Sequence, residues 1–136
     1  MKQTNDKLYA DTNILLYLFD KDDIKKNTVF DIIEKTPVIS TQVVNETINN
    51  LLKKFGRNPK TALSDIKMIS DNCFVVFISL QTIELALNVK HRYKFSFYDC
   101  LHIASALENN CKILYSEDLQ HKQIIEKKLT IINPFI

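Results

Sequence analysis

Apolar residues along this chain fall into short runs that alternate with longer amphipathic stretches. Lys7-Leu8-Tyr9-Ala10 reads as a short buried strand. Asp11-Thr12-Asn13 interrupts it, and an apolar helix begins at about Ile14. The charged turn Asp20-Lys21-Asp22-Asp23, with Asp22 or Asp23 as cap, leads into an imperfectly amphipathic helix over 24–34. Pro37 breaks that helix, Val38-Ile39 is a strand candidate, and Ser40 or Thr41 caps the third helix. Over 43–55, Val44, Ile48, Leu51, Leu52 and Phe55 form one apolar stripe. Glu46, Asn49, Asn50 and Lys53 lie on roughly the opposite side. Gly56 ends this helix, and Asn58-Pro59 starts a fourth that runs to about Ser70.

Phe74-Val75-Val76-Phe77-Ile78 is β-branched, aromatic and uncharged, so it reads as a strand covered on both faces. Helices are expected over 82–93 and, opened by Ser96-Phe97-Tyr98-Asp99, over 96–109. The second is apolar nearly all round and should be largely buried. Ile113-Leu114-Tyr115 is the next strand, with Ser116-Glu117-Asp118 directly after it. A short helix near Ile124 and a strand at Thr130-Ile131-Ile132 complete the pattern. Strands alternating with helices predict an α/β sandwich with a parallel sheet, in one domain spanning 1–136.

Composition narrows the chemistry. The chain contains a single glycine, which excludes both a P-loop and a GxGxxG dinucleotide fingerprint. A formal net charge of +2 permits nucleic-acid binding without arguing for it. Cys73, Cys100 and Cys111 are odd in number and lack CxxC spacing, so reduced core thiols are expected. Neither a signal peptide nor an 18-residue apolar run is visible, and the expectation is a cytoplasmic protein without a membrane contact.

In a parallel sheet the C-terminal ends of the strands share one edge with the N-termini of the returning helices. Asp11 comes after the first strand and Asp118 after the strand at 113–115. Glu46 falls early in the helix after Val38-Ile39, and Asp99 opens the helix that returns to Ile113. Each has a bland reading. Asp11-Thr12-Asn13 are common cap residues, and Ser96-x-x-Asp99 is a capping-box pattern. Glu46 fits a solvated face and Asp118 a turn. Those readings do not explain why all four fall on one edge. Clustered carboxylates disfavour one another's ionised forms unless a cation is present, and oxygen ligands suit Mg²⁺ or Mn²⁺. Glu117 is a secondary metal candidate, while Thr12, Asn13 and Ser116 are supporting polar groups. His102, one turn after Asp99, reads as a structural histidine on a core helix.

The ordered set resembles a known family. Leu8-Tyr9-Ala10-Asp11-Thr12-Asn13, the helix over 40–52 with Asn45-Glu46, Phe95-Ser96-Phe97-Tyr98-Asp99 with Ala104-x-Ala106, and Leu114-Tyr115-Ser116-Glu117-Asp118-Leu119-Gln120 resemble the four acidic motifs of PIN-domain ribonucleases. Ile132-Asn133-Pro134-Phe135 is also similar to the close of these proteins. At this length the likeness is to a VapC-type toxin of a type II toxin–antitoxin pair. It implies a three-layer α/β/α fold, Mg²⁺- or Mn²⁺-dependent endonucleolytic cleavage of RNA leaving a 5′-phosphate and a 3′-hydroxyl, a homodimer, and a cognate antitoxin that inserts into the active-site groove. By position, Asp11, Glu46, Asp99 and Asp118 match the acidic quartet that holds metal. There is one departure: where the family often has glycine after Asp-Leu-Gln-His, this chain has Lys122. The quartet is intact, and the change bears on the loop and on how substrate lies against it.

Two basic stretches neighbour acidic motifs. Lys53, Lys54, Arg57 and Lys60 lie downstream of Glu46, and Lys90, His91, Arg92 and Lys94 precede Asp99. They read as RNA phosphate contacts or as solvated surface. Three rival functions stand beside the toxin. An aspartate-nucleophile phosphatase of the haloacid dehalogenase type needs an acid at position 13, which is Asn13 here. An inactive RNA-binding PIN module is disfavoured by the complete quartet. An RNA-processing PIN nuclease is not separable from a toxin by sequence.

Overall fold

In a computed structural model of the protein, residues 6–136 are described. The apolar triplets become strands: β1 (Leu8–Ala10), β2 (Val38–Ser40), β3 (Phe74–Val76) and β4 (Ile113–Tyr115), then β5 (Ile124–Ile125) and β6 (Leu129–Ile132). They form one sheet in the order β3-β2-β1-β4-β6-β5. All pairings are parallel except β5 with β6. The helices are α1 (Thr12–Leu15), continued by a 3-10 turn over Leu16–Phe19, α2 (Asp23–Glu34), α3 (Thr41–Lys53), α4 (Pro59–Asp71), α5 (Leu80–Arg92) and α6 (Phe97–Glu108). The architecture is a three-layer α/β/α sandwich around a mostly parallel sheet.

Local chemistry sets most boundaries. Asp22, Ser40, Asn58 and Ser96 each accept an amide from the first turn of the helix they precede, at 3.1, 3.4, 2.8 and 3.2 Å. Ser79 and Thr82 close a capping box at the start of α5. Each such cap is worth about 1 kcal/mol. Leu8, Tyr9 and Ala10 are buried, as are Val38, Ile39, Leu114 and Ile131, so the central strands face apolar layers on both sides. Helix α6, whose residues Cys100 to Ala106 are all buried, packs on β2 and β4.

The structure corrects several expectations. The run 74–78 is not a covered central strand. β3 ends at Val76, lies at the sheet edge, and leaves Phe74 and Phe77 exposed. Burial of one flank was enough to select its β-branched residues. The helix expected near Ile124 is strand β5, in a hairpin with β6. Lys128 N donates to Ile125 O at 3.0 Å, and the two residues between, Glu126 and Lys127, have φ of 51° and 58°. Positive φ at both central positions is the type I′ hairpin requirement, usually met by Asn-Gly. The sheet is therefore mixed rather than wholly parallel. On α3 the fully buried positions are Val43, Thr47 and Leu51, while Leu52 of the expected stripe is exposed. The three cysteines are free thiols. Burial pushes Cys73 and Cys111 up to about 11, so both stay protonated and unreactive. No helix among the described residues is long and apolar enough to cross a membrane.

Candidate active site

After β1 the chain builds β2 and β3 on one side, then crosses to build β4 and β6 on the other. The β1–β4 boundary is where that direction reverses, the point beyond the C-terminal strand ends at which open α/β sheets bind ligands. Asp11 stands at that point. Its amide donates to Tyr115 O at 3.0 Å, which carries the β1–β4 pairing one residue past the strands. Its Oδ1 accepts Thr12 N at 2.6 Å, capping α1, and its Oδ2 accepts Ser116 Oγ at 3.1 Å. The cap role and the site role are thus filled by one carboxylate, which is buried.

Asn13 joins the two loops. Its Oδ1 accepts Glu117 N at 3.2 Å, and its Nδ2 donates to Asp118 Oδ2 at 3.0 Å while lying 3.4 Å from both Asp11 Oδ2 and Ser116 Oγ. On the other side of Asp11, Glu46 arrives from the second turn of α3. Its Oε1 accepts Thr12 Oγ1 at 2.7 Å, and its Oε2 accepts Gln42 Nε2 at 3.2 Å.

His102 completes this constellation. It is 1% exposed. Its Nε2 lies 2.9 Å from Glu46 Oε1, 3.3 Å from Glu46 Oε2 and 3.4 Å from Asp11 Oδ1. Its Nδ1 lies 2.8 Å from the hydroxyl oxygen of Tyr9, which in turn donates to Ser40 Oγ at 2.8 Å. Among the described residues, Asp11, Glu46 and His102 are the group whose ligating atoms all fall within 4.8 Å of one another. His102 is therefore more than the structural histidine its sequence setting suggests, and Tyr9 and Gln42 join the site without having been candidates. The available signal was position: Tyr9 sits in the strand leading to Asp11, and His102 lies one turn beyond Asp99.

The charges are strongly coupled. Burial raises the Asp11 carboxyl above its ordinary range, and the pull of His102 and of the Thr12 amide only partly offsets this. At Glu46 burial pushes upward too, but the hydrogen bond and charge of His102, with Thr12 and Gln42, win and hold it low. Burial alone would depress His102, yet Asp11, Glu46 and Asp99 together raise it. Burial also holds the Tyr9 phenol well above its usual range, so it stays a neutral hydroxyl. Among the described residues no lysine or arginine pairs with Asp11 or Glu46.

Asp99 lies in the first turn of α6, half-buried, and its charge is felt at both Asp11 and His102. Asp118 is tied to the cluster through Asn13. Both stand outside the tight three-residue group. Glu117 is committed elsewhere: Oε1 accepts Tyr17 OH at 2.6 Å and Oε2 pairs with Lys25 Nζ at 2.8 Å. Of the basic candidates, Arg57 pairs with Asp65 at 3.6 Å and stacks over Phe19, Arg92 pairs with Glu126, and Lys90 donates to Phe95 O. Lys53, Lys54, Lys60 and Lys94 are exposed.

A family model for the PIN domain matches residues 8–127. The chain belongs to the PIN domain family. No curated protein matches it in sequence. Solved structures similar to this PIN domain include one from a toxin–antitoxin complex of Klebsiella pneumoniae, at TM-score 0.69 and 21% identity over 94% of this chain and 97% of that one. The VapC20 toxin of Mycobacterium tuberculosis, which cleaves the sarcin-ricin loop, is similar at TM-score 0.67 and 20% identity over 82% and 90%. A chain of VapBC2 from Rickettsia felis, bound to a DNA fragment from its promoter, is similar at TM-score 0.69 and 18% identity over 91% and 97%. These likenesses establish a shared fold.

Proposed function

We propose that this protein is a divalent-metal-dependent endoribonuclease and the toxin of a type II toxin–antitoxin pair. The observation that carries the reading is the side-chain cluster at the C-terminal ends of β1 and β4. It gathers Asp11, Glu46 and His102 within 4.8 Å and tethers Asp118 through Asn13, with no lysine or arginine paired to Asp11 or Glu46 among the described residues. Two buried or half-buried carboxylates beside an imidazole fit a cation better than they fit one another. Toxin structures of the same fold support the toxin assignment, and the complete acidic quartet supports an active nuclease.

Asp11, Asp99 and Asp118 would hold one or two Mg²⁺ or Mn²⁺ ions, directly or through water, and Glu46 would hold a second ion or orient the attacking water. A bound divalent ion supplies an activated water and neutralises charge on the scissile phosphate. The chain's own groups do the positioning. Thr12 and Gln42 fix both oxygens of Glu46, Ser116 and the Thr12 amide fix Asp11, and Asn13 fixes Asp118. Lys53, Lys54 and Lys94 are the exposed cations available to RNA phosphates. Ile24 and Phe30 on α2 are exposed apolar residues, each available to an antitoxin or a second copy of the chain. Glu117, held by Lys25 and Tyr17, acts as a strut rather than a ligand.

The test is cleavage of total RNA by the purified protein with Mg²⁺ or Mn²⁺, beside an Asp11→Asn variant. Metal-dependent cleavage that the variant loses is expected. Equal cleavage in EDTA, or by the variant, overturns the reading. Toxicity on expression, relieved by the product of an adjacent small gene, separates a toxin from an RNA-processing nuclease.

A further inference from the structure

We propose that His102 Nε2 is itself a ligand of the divalent cation, which makes the centre a mixed nitrogen–oxygen site that favours transition ions over Mg²⁺. This rests on the metal-dependent reading above and goes beyond its all-carboxylate ligand set.

The first support is spacing. Two ligand atoms about 2.1 Å from one ion and at right angles lie about 3.0 Å apart, and in tetrahedral array about 3.4 Å. His102 Nε2 stands 2.9 Å from Glu46 Oε1 and 3.4 Å from Asp11 Oδ1. These are the separations of neighbours around one cation.

The second support is the other ring nitrogen. Tyr9 donates its only hydroxyl proton to Ser40 Oγ, so its oxygen can only accept at Nδ1. Nδ1 therefore carries a hydrogen, and the nitrogen that faces Asp11 and Glu46 is Nε2, which hydrogen-bonds Glu46 in the metal-free protein and would exchange that proton for a cation. A histidine that donates one N–H to a fixed acceptor and aims the other nitrogen at carboxylates has the arrangement of a metal ligand with its outer support. Ser40 is itself fixed at the N-terminus of α3, where it also accepts Val43 N at 3.4 Å. Tyr9 and Ser40 are both fully buried. The orientation of the ring is thus set by strand β1 and the β2–α3 junction, not by solvent.

The third support is rigidity. His102 sits mid-helix on α6, flanked by the buried residues Leu101 and Ile103. Mg²⁺ prefers oxygen ligands, whereas imidazole suits transition ions. The nitrogen ligand therefore shifts selectivity rather than adding affinity uniformly.

The experiment uses the full chain loaded with Mn²⁺ and labelled with ¹⁵N-histidine. Pulsed EPR reads whether a histidine nitrogen is coupled to the ion. Coupling is expected in the wild type and absent in His102→Gln. The other histidines, His91 and His121, lie outside the cluster, and His121 Nδ1 already accepts Asn133 N. Calorimetry with Mn²⁺ and Mg²⁺ should show His102→Gln weakening Mn²⁺ by at least about tenfold and Mg²⁺ by less. Tyr9→Phe keeps the ligand but removes its outer acceptor, so coupling persists with weaker Mn²⁺ binding. It serves if the glutamine variant does not fold. Bound Mn²⁺ without histidine coupling in the wild type overturns the inference and leaves the carboxylate site standing. Failure of the wild type to bind Mn²⁺ or Mg²⁺ at all overturns the metal-dependent reading itself, and the histidine ligand with it.

Discussion

The loop after Asp118 holds a lysine in a backbone conformation suited to glycine. Lys122 has φ of 70°, and its amide donates to Ile131 O at 2.7 Å, so the conformation is pinned to strand β6. An L-residue in the left-handed region costs about 1–2 kcal/mol. Glycine removes that cost but adds unfolded-chain entropy worth about 0.5–1 kcal/mol. Because the Lys122 side chain is exposed, little packing is lost. Lys122→Gly should therefore stabilise the protein by about 0.5–1 kcal/mol. At this chain length that is a rise of about 2–4 °C in Tm per kcal/mol. The urea midpoint should rise by a few tenths of a molar, roughly, at an ordinary slope. Lys122→Ala removes the side chain but keeps the strain, and should stay within about 0.5 kcal/mol of the parent. Gly56 gives the reverse test. Its φ is 62°, and a Cβ there meets nothing within 4 Å, so Gly56→Ala isolates the backbone effect. It should cost about 0.5–1 kcal/mol. Equilibrium urea unfolding monitored by circular dichroism measures all three. A Lys122→Gly variant no more stable than the parent, together with a cost-free Gly56→Ala, would rule out left-handed strain as a contribution at these positions.

The site itself yields three more expected outcomes. The Asp11 carboxyl is raised by burial against the pull of His102; a carboxyl raised in the fold contributes stability that is present at low pH and lost as pH rises through its folded value. Asp11→Asn should therefore unfold at higher temperature than the parent in EDTA at pH 7, with the gain shrinking toward pH ~4, and an unchanged or lower Tm at pH 7 counts against a strained, buried carboxylate. Glu117 has the opposite sign: burial is outweighed by Lys25 and Tyr17, its value is lowered, and its contribution is lost as pH falls through that value. Glu117→Gln should cost about 0.2–1 kcal/mol at neutral pH and leave Mn²⁺ affinity unchanged, whereas a clear loss of Mn²⁺ affinity would restore it as a ligand. Replacing Lys53, Lys54 and Lys94 together by alanine should flatten the log–log salt dependence of RNA binding by up to about 0.7 per contact, and an unchanged slope places the RNA elsewhere.

The order of strands and helices, and the edge to which the carboxylates are delivered, were readable because they arise from alternation, caps and the geometry of parallel sheets. Asp22, Ser40, Asn58 and Ser96 cap the helices their identities announced. The hairpin at β5 was hidden for a physical reason. With glycine nearly absent, its turn is made by Glu126 and Lys127 at positive φ, and residues of that kind carry no turn signal. Phe74-Val75-Val76 looked central because apolarity reports burial of a flank, not place in the sheet. His102 was missed because a histidine on an apolar helix is ordinarily satisfied by its neighbours. What distinguishes this one is long-range: Tyr9 and Glu46 meet it only after β1 and α3 have packed on α6.

The chemistry of the new RNA ends separates the two ways such a site could cut. Hydrolysis by a water positioned among Asp11, Glu46, Asp99 and Asp118 leaves a 5′-phosphate and a 3′-hydroxyl. Attack by the neighbouring 2′-hydroxyl, with His102 acting as base, would leave a 2′,3′-cyclic phosphate and a 5′-hydroxyl and would need no metal. A defined RNA cleaved by the wild-type protein in Mn²⁺, with its ends assigned by mass spectrometry, should carry only the first pair and should remain intact in EDTA. Cyclic phosphate ends, or cleavage persisting in EDTA, would contradict hydrolysis by a metal-activated water.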